Sequence, residues 1–184
     1  MGKTHPGIDA ALRDFLLQQK VFFVATAPAA TDGHLNLSPK GLDSFFVLGP
    51  HSVAYLDFNG SGVETIAHLR DDGRIVFLFC AFEGPPKIVR LHGRARAIEP
   101  GDPEFETWRE RIPAGAAVRS VIVADLDRVS DSCGYGVPRL RFVGERDQLQ
   151  RWAERKGEDG LRDYRRRNNA RSIDGLPGLR RRDS

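Results

Sequence analysis

The stretch that decides the reading of this chain runs from Ser52 to Ile98: SVAYLDF (52–58), NGSGVETIAHLRDDG (59–73), RIVFLFCAF (74–82) and, after EGPP, KIVRLHGRARAI (87–98). The first, third and fourth pieces are rich in β-branched and aromatic residues and are bounded by Gly, Pro, Asn and Asp, which predicts strands. The second opens on Asn59-Gly60-Ser61-Gly62 and continues as a short helical pattern, VETIAHLR (63–70), that stops at Asp71-Asp72-Gly73. A glycine-rich turn just before a helix frees backbone amides toward one point, and such a point suits an anion. The turn at 59–62 is therefore the first candidate for a ligand site.

Upstream, IDAALRDFLLQQ (8–19) places Ile8, Leu12, Phe15 and Leu16 at helical spacing, and VFFVATA (21–27) reads as a buried strand followed by a hairpin loop. HLNLSPKG (34–41) begins as an alternating strand. Ser38-Pro39 is expected to stop it, because proline has no N–H for a central ladder, and Lys40 is left at the strand end. DSFFVLG (43–49) joins SVAYLDF through Gly49-Pro50-His51, and with the previous pair these strands predict an antiparallel meander.

Downstream, PEFETWRERI (103–112) predicts a helix with Pro103 in its first turn and Phe105, Trp108 and Ile112 on one face. VRSVIVADLDRVS (118–130) is a seventh strand, and SCGYGVP (132–138) is irregular. From Glu145 the chain reads as two short helices broken at Gly157, then an extended tail. Many short strands with turn signals every 8–12 residues or so indicate a small antiparallel barrel. The expected class is mainly β with peripheral helices (α+β) and six to seven strands. A length of 184 residues suits one domain, 1–184, with 145–184 a C-terminal helical extension.

Composition narrows the function. No apolar run approaches the roughly 20 residues that span a bilayer, and MGKTHPGID lacks the basic-then-apolar layout of a signal peptide, so a cytoplasmic protein without membrane contact is expected. Cys80 and Cys133 form neither a disulfide framework nor a metal-ligand spacing, and the five histidines are scattered. The net charge of +3 comes largely from Arg162, Arg165, Arg166, Arg167, Arg171 and Arg180 to Arg182, which read as a solvated helix face and a frayed basic tail. With no nucleic-acid fold motif and only Tyr164 among these arginines, no nucleic-acid partner is expected. Cys-x-x-Cys, His-Glu-x-x-His, Gly-x-Ser-x-Gly and the Walker loop are all absent.

From Val21 to Ile98 the chain resembles the pyridoxamine 5'-phosphate oxidase-like superfamily. The residues that carry the resemblance are Ser38-Pro39-Lys40-Gly41, the strand Tyr55-Leu56-Asp57-Phe58 entering a Gly-Ser turn, the short helix ending at Asp-Asp-Gly, the Arg74-Ile75 strand and Val89-Arg90-Leu91-His92-Gly93-Arg94-Ala95. The segments DSCGYGVP, LQRWAERKG and SIDGLPGL are similar to those of an uncharacterised, oxidase-related branch.

The resemblance implies an FMN-binding split β-barrel in a homodimer, with the flavin between two protomers and a small-molecule substrate. It places backbone around Leu37, Ser38 and Pro39 at the ring edge and Lys40 near the flavin or its phosphate. The strand Tyr55, Leu56 and Asp57 would run beneath the ribityl chain. Ser61, Gly62 and Thr65 would donate to the phosphate, Arg90 is a further cation, and Tyr135, next to Cys133, lines the cleft.

One departure matters. The oxidases hold the phosphate with an Arg-Lys pair at the start of the short helix, where this chain has Glu64 and Thr65. Two like charges about 4 Å apart repel by about 4 kcal/mol at an intermediate effective dielectric, so Glu64 cannot replace the arginine. Ser61 and Glu64 instead have the spacing of a capping box, and the cation must come from Lys40, Arg90 or a partner chain. The oxidases' substrate-phosphate arginine and histidine have no counterpart in SCGYGVPRLRF, which argues against pyridoxamine-phosphate oxidation itself. A non-catalytic cofactor-binding protein for haem or deazaflavin, with His68 or His92 as a haem ligand, is the alternative. An interaction module acting through the basic C-terminal helix is a third reading.

Overall fold

Alternation of apolar residues along short segments builds one antiparallel sheet that curls on itself. A computed structural model of the chain describes residues 2–113 and 117–180. In chain order the elements are β1 (Lys3–His5), α1 (Ala10–Gln18), β2 (Phe22–Thr26), β3 (Asn36–Lys40), β4 (Phe45–Gly49), β5 (Ser52–Phe58) and α2 (Glu64–Asp71). There follow β6 (Arg74–Cys80), β7 (Ile88–Ile98), a 3-10 helix (Pro103–Arg111), β8 (Val118–Ser132) and α3 (Gln148–Asn168). The strands lie in the order β3-β2-β6-β7-β8-β5-β4, and β1 joins β8 beside this path.

Strand β8 organises the sheet. Along one side it pairs with β7 from Val121 to Ser132; along the other it pairs first with β5 and then, near its end, with β1. The β7–β8 ladder shifts register between His92 and Gly93, where a Cβ on Gly93 would lie 2.0 Å from the Asp125 carbonyl oxygen. Only glycine allows that approach.

The two ends of the sheet meet through aromatic rings. Phe22 on β2 lies 5.2 Å from Phe45 on β4 and 5.8 Å from Tyr55 on β5, and Phe45 lies 4.8 Å from Phe79 on β6. These tilted and edge-on contacts, with Leu12 and Leu16 of α1 and Ile66 of α2, fill the interior. The barrel is thus closed by side chains where backbone pairing stops. On the opposite face, Ala54, Leu56, Ile98 and Val121 pack under Trp108 of the 3-10 helix, with Phe105 and Ile112 beside it.

The mainly β, α+β class is as expected from sequence, and β1 adds an eighth strand. Three local readings change. Pro39 does not stop β3; it pairs with Phe23 inside the strand, which is tolerated because β3 is an edge and needs no second ladder. The predicted meander is two separate hairpins, β2–β3 and β4–β5, at opposite ends of the sheet path. The 103–112 helix is wound as 3-10.

The break at Gly157 is present: its φ of 63° and ψ of 178° reverse the chain within α3. Trp152 and Tyr164 would be about 18 Å apart along an uninterrupted helix, yet their rings meet at 4.9 Å. The cysteines are free, and Arg181 and Arg182 of the basic tail lie outside the described residues. Among the described residues, no helix is long and apolar enough to cross a membrane, and no cluster of side chains could hold a metal.

Candidate functional site

The end of β5 carries a carboxylate into the interior. Val53, Tyr55 and Asp57 share the inner face by strand alternation, and all three are fully buried. A buried carboxylate must be paired. Lys40 Nζ, from the end of β3, donates to Asp57 Oδ1 at 3.0 Å, and Arg119 Nε donates to Oδ2 at 2.7 Å. Ser120 Oγ adds a longer contact of 3.3 Å.

Arg119 reaches inward because the β5–β8 ladder bulges at this point. Register passes from Asp57 opposite Ser120 to Phe58 opposite Val118, leaving Arg119 as the extra residue whose side chain is re-aimed. Burial by itself would push the Asp57 carboxyl up, but Lys40 and Arg119 together outweigh it and hold the group below its ordinary value. Burial, and then the Asp57 charge, push the Tyr55 hydroxyl well above its usual range, so it stays protonated.

Lys40 and Arg119, joined beneath the surface by Asp57, line a cleft of about 400 Å³ between β3 and the 59–65 turn. Asn36, Ser38, Lys40, Asn59, Glu64, Thr65 and Arg119 contribute polar groups to its lining, while Pro39, Leu42, Phe58 and Leu149 make the apolar part. Ser38 Oγ donates to Asn36 Oδ1 and Asn36 Nδ2 donates to Thr65 Oγ1, both at 3.1 Å, so a hydrogen-bonded row ties the edge strand to α2.

The turn itself is held through its carbonyls. Arg119 Nη1 donates to Gly62 O at 2.7 Å and Gly60 O at 3.2 Å, and Asn169 Nδ2 donates to Gly60 O at 2.9 Å. With these oxygens turned to Arg119 and Asn169, the turn is fixed from both sides.

The C-terminal segment crosses this end of the molecule. The backbone N–H of Ile173 donates to both Glu64 carboxylate oxygens at 3.2–3.3 Å, and Asp174 accepts from the His34 backbone and ring. Arg70 binds both Glu99 and the Gly178 carbonyl. The predicted Ser61–Glu64 capping box is not made. Helix α2 begins after Val63 with no side-chain cap, because Glu64 is drawn to the C-terminal segment instead.

Of the residues named from sequence, Ser38, Pro39, Lys40, Gly62 and Thr65 share the cleft, and Asp57 with Tyr55 underlies it. Leu56 lies on the other face of β5, in the cluster under Trp108. Leu37 projects from the outer face of β3, and Ser61 is exposed at the turn. Within the single chain Arg90 and Tyr135 are not among the lining residues: Arg90 donates to Ser132 Oγ, and Tyr135 is 82% exposed.

Arg119 is the residue that sequence reading missed. Its signal was a lone cation in the apolar run VRSVIVA, and such a residue in a central strand implies a buried partner. The haem-ligand candidates are not in the cleft lining either. His68 is sealed in the core with Nδ1 on Thr26 Oγ1 at 3.0 Å, and His92 sits within β7.

A family model described as pyridoxamine 5'-phosphate oxidase matches residues 8–133, which covers every strand after β1 and the whole floor of the cleft. The chain belongs to the pyridoxamine 5'-phosphate oxidase family. The family protein ustO of Aspergillus flavus is 42% identical over 187 residues, covering 91% of this chain and 74% of the relative. Among solved structures, HupZ of Group A Streptococcus matches with a TM-score of 0.52 at 22% identity, over 66% of this chain and 91% of that one. Rv2991 of Mycobacterium tuberculosis matches with a TM-score of 0.51 at 16% identity, over 78% and 98%. These two likenesses are likenesses of fold. The family match ends at residue 133, so α3 and the segment that crosses the turn lie beyond it.

Proposed function

We propose that this family member is an FMN-binding flavoprotein, a homodimer that carries out redox chemistry on a small molecule. The observation that carries the reading is the composition of the cleft. Its lining offers hydroxyls, an amide and the cations Lys40 and Arg119, with the carboxylates of Asp57 beneath and Glu64 at the rim of the turn, beside the apolar surface of Pro39, Leu42 and Phe58. That donor set suits a molecule with a polyhydroxyl chain, a terminal anion and a flat apolar ring. Lys40, Asn36, Ser38 and Thr65 would hold the chain and its anion, and Pro39, Leu42 and Phe58 would face the ring.

The flavin, when bound, supplies the electron chemistry. The chain's own residues bind and orient. The Asp57 triad holds the Lys40 and Arg119 side chains in place, and the Asn36–Thr65 row ties the edge strand to α2 across the cleft. A volume of about 400 Å³ is near the lower end for small-molecule sites, and the exposed Leu35 and Leu37 on and beside edge strand β3 offer an apolar surface for a second copy that would complete the walls. A cytoplasmic location belongs to the same proposal.

Purified protein should be yellow or take up FMN on titration, and native mass spectrometry should show a dimer carrying two flavins. Absence of both chromophore and uptake would overturn the reading. The haem alternative gains nothing from the cleft, which neither His68 nor His92 lines.

A further inference from the structure

Helix α3 brings one more cation to the turn. After the reversal at Gly157, its second half runs back over residues 59–61, and Arg165 Nη1 comes within 3.4 Å of Asn59 Oδ1. Asn59 lines the cleft and is itself buried, fixed by its Nδ2 on the Ala117 carbonyl at 2.7 Å. The neighbouring Asn169, at the end of the same helix, binds the Gly60 and Ser61 carbonyls. Arg165 is therefore held half-buried behind the lining residue Asn59, without itself lining the cleft of the single chain.

Its charge is poorly compensated. Among the described residues Arg165 has no carboxylate in salt-bridge contact, whereas Arg162 pairs with Asp159 and Arg166 with Asp163. Burial, then the like charges of Arg162 and Arg119, hold its guanidinium below the ordinary arginine value, and the weaker attraction of Glu158 does not offset them. Nearby, Lys40 and Arg119 share Asp57, and the Glu64 carboxylate in the same lining offsets the positive charge left over, so the cleft itself has no cation to spare. Glu64, at the start of α2, is turned to Ile173. A partly buried cation with cationic neighbours costs free energy unless an anion accompanies it.

We infer that Arg165, from the C-terminal extension, supplies the phosphate-binding charge that the start of α2 lacks, with Arg119 behind it. The inference rests on the flavin reading above. It makes the extension part of the cofactor site rather than an appendage, and it gives a role to one arginine out of a run that otherwise reads as solvated surface.

The test compares FMN with riboflavin, which lacks the phosphate, by quenching of flavin fluorescence on titration with wild type, Arg165→Gln, Arg165→Lys and Arg162→Gln. Wild type should prefer FMN. Arg165→Gln should weaken FMN roughly ten- to a hundredfold, the size of a lost hydrogen bond to a charged group, and leave riboflavin unchanged. Arg165→Lys should fall between, and Arg162→Gln should bind FMN as wild type does. Unfolding temperatures of all four report on the fold.

FMN binding unchanged in Arg165→Gln would overturn the inference while leaving the flavin reading in place. Equal loss of FMN and riboflavin would also overturn it, by showing a structural role. Wild type binding neither flavin would overturn the reading and the inference together.

Discussion

Asp57 and Arg119 are joined at 2.7 Å with neither side chain more than 5% exposed, and they are 62 residues apart in sequence. The contact ties the end of β5 to a bulge in β8 and fixes the 59–62 turn through the same guanidinium. Removing one partner leaves the other charged and buried with its closest counter-charge gone, which typically costs about 3–5 kcal/mol. Asp57→Asn should therefore lower stability by about that amount at neutral pH, measured by urea denaturation. Lys40→Met should cost less, since Lys40 keeps partial access to water.

The same group sets an acid limit. Because the folded pKa of Asp57 is depressed, its contribution is complete above its ordinary value of 3.8 and is lost as pH falls through the lower folded value. Wild-type stability should fall below about pH 4, and the difference between wild type and Asp57→Asn should shrink there. A gap that stays constant from pH 7 to pH 2 would contradict this assignment.

His34 and Asp174 form an ion pair that fastens the C-terminal segment to the loop before β3. The hydrogen bond that His34 donates to Asp174, then the Asp174 charge, raises the His34 pKa above 6.5, and the same bond lowers that of Asp174. The raised imidazole stabilises the docked segment fully below pH 6.5 and loses that effect as pH rises through its folded value. Imidazole titration followed by NMR should show the raised midpoint in wild type and a return to the ordinary value in Asp174→Asn.

Gly93 sits where a side chain would collide with the Asp125 backbone. Gly93→Ala must open the β7–β8 ladder at its bulge, and a loss of several kcal/mol, or failure to fold, is expected. Gly84→Ala, at a positive φ of 72° in an open loop with no atom within 4 Å, should cost only about 1 kcal/mol. Thermal unfolding of the two variants separates steric from conformational cost.

The strands are legible in the sequence because β-branched and aromatic residues crowd into them; SVAYLDF and RIVFLFC match β5 and β6. Strand β1 is not, since Lys3, Thr4 and His5 carry no apolar pattern and are ordered only by β8. Strand order is hidden for a related reason: nothing in the local sequence of β3 and β4 says that they lie at opposite edges, because that follows from long-range pairing through β8. The turn at 59–62 stands out by its composition, but which groups hold it depends on Arg119 and Asn169, residues far away in the chain. The lone cation in VRSVIVA signals that Arg119 has a buried partner, but neither the bulge that re-aims it nor the partner's identity can be read from the local sequence.

The carbonyl of Gly60 takes its shorter hydrogen bond from a donor 109 residues downstream. During synthesis the barrel hairpins can pair as they emerge, yet the turn beside the cleft is held from one side only until residue 169 has been made and α3 has folded back at Gly157. Assembly of this corner is thus vectorial, and a nascent chain has the strands β1 to β8 well before the turn beside the cleft is held on both sides.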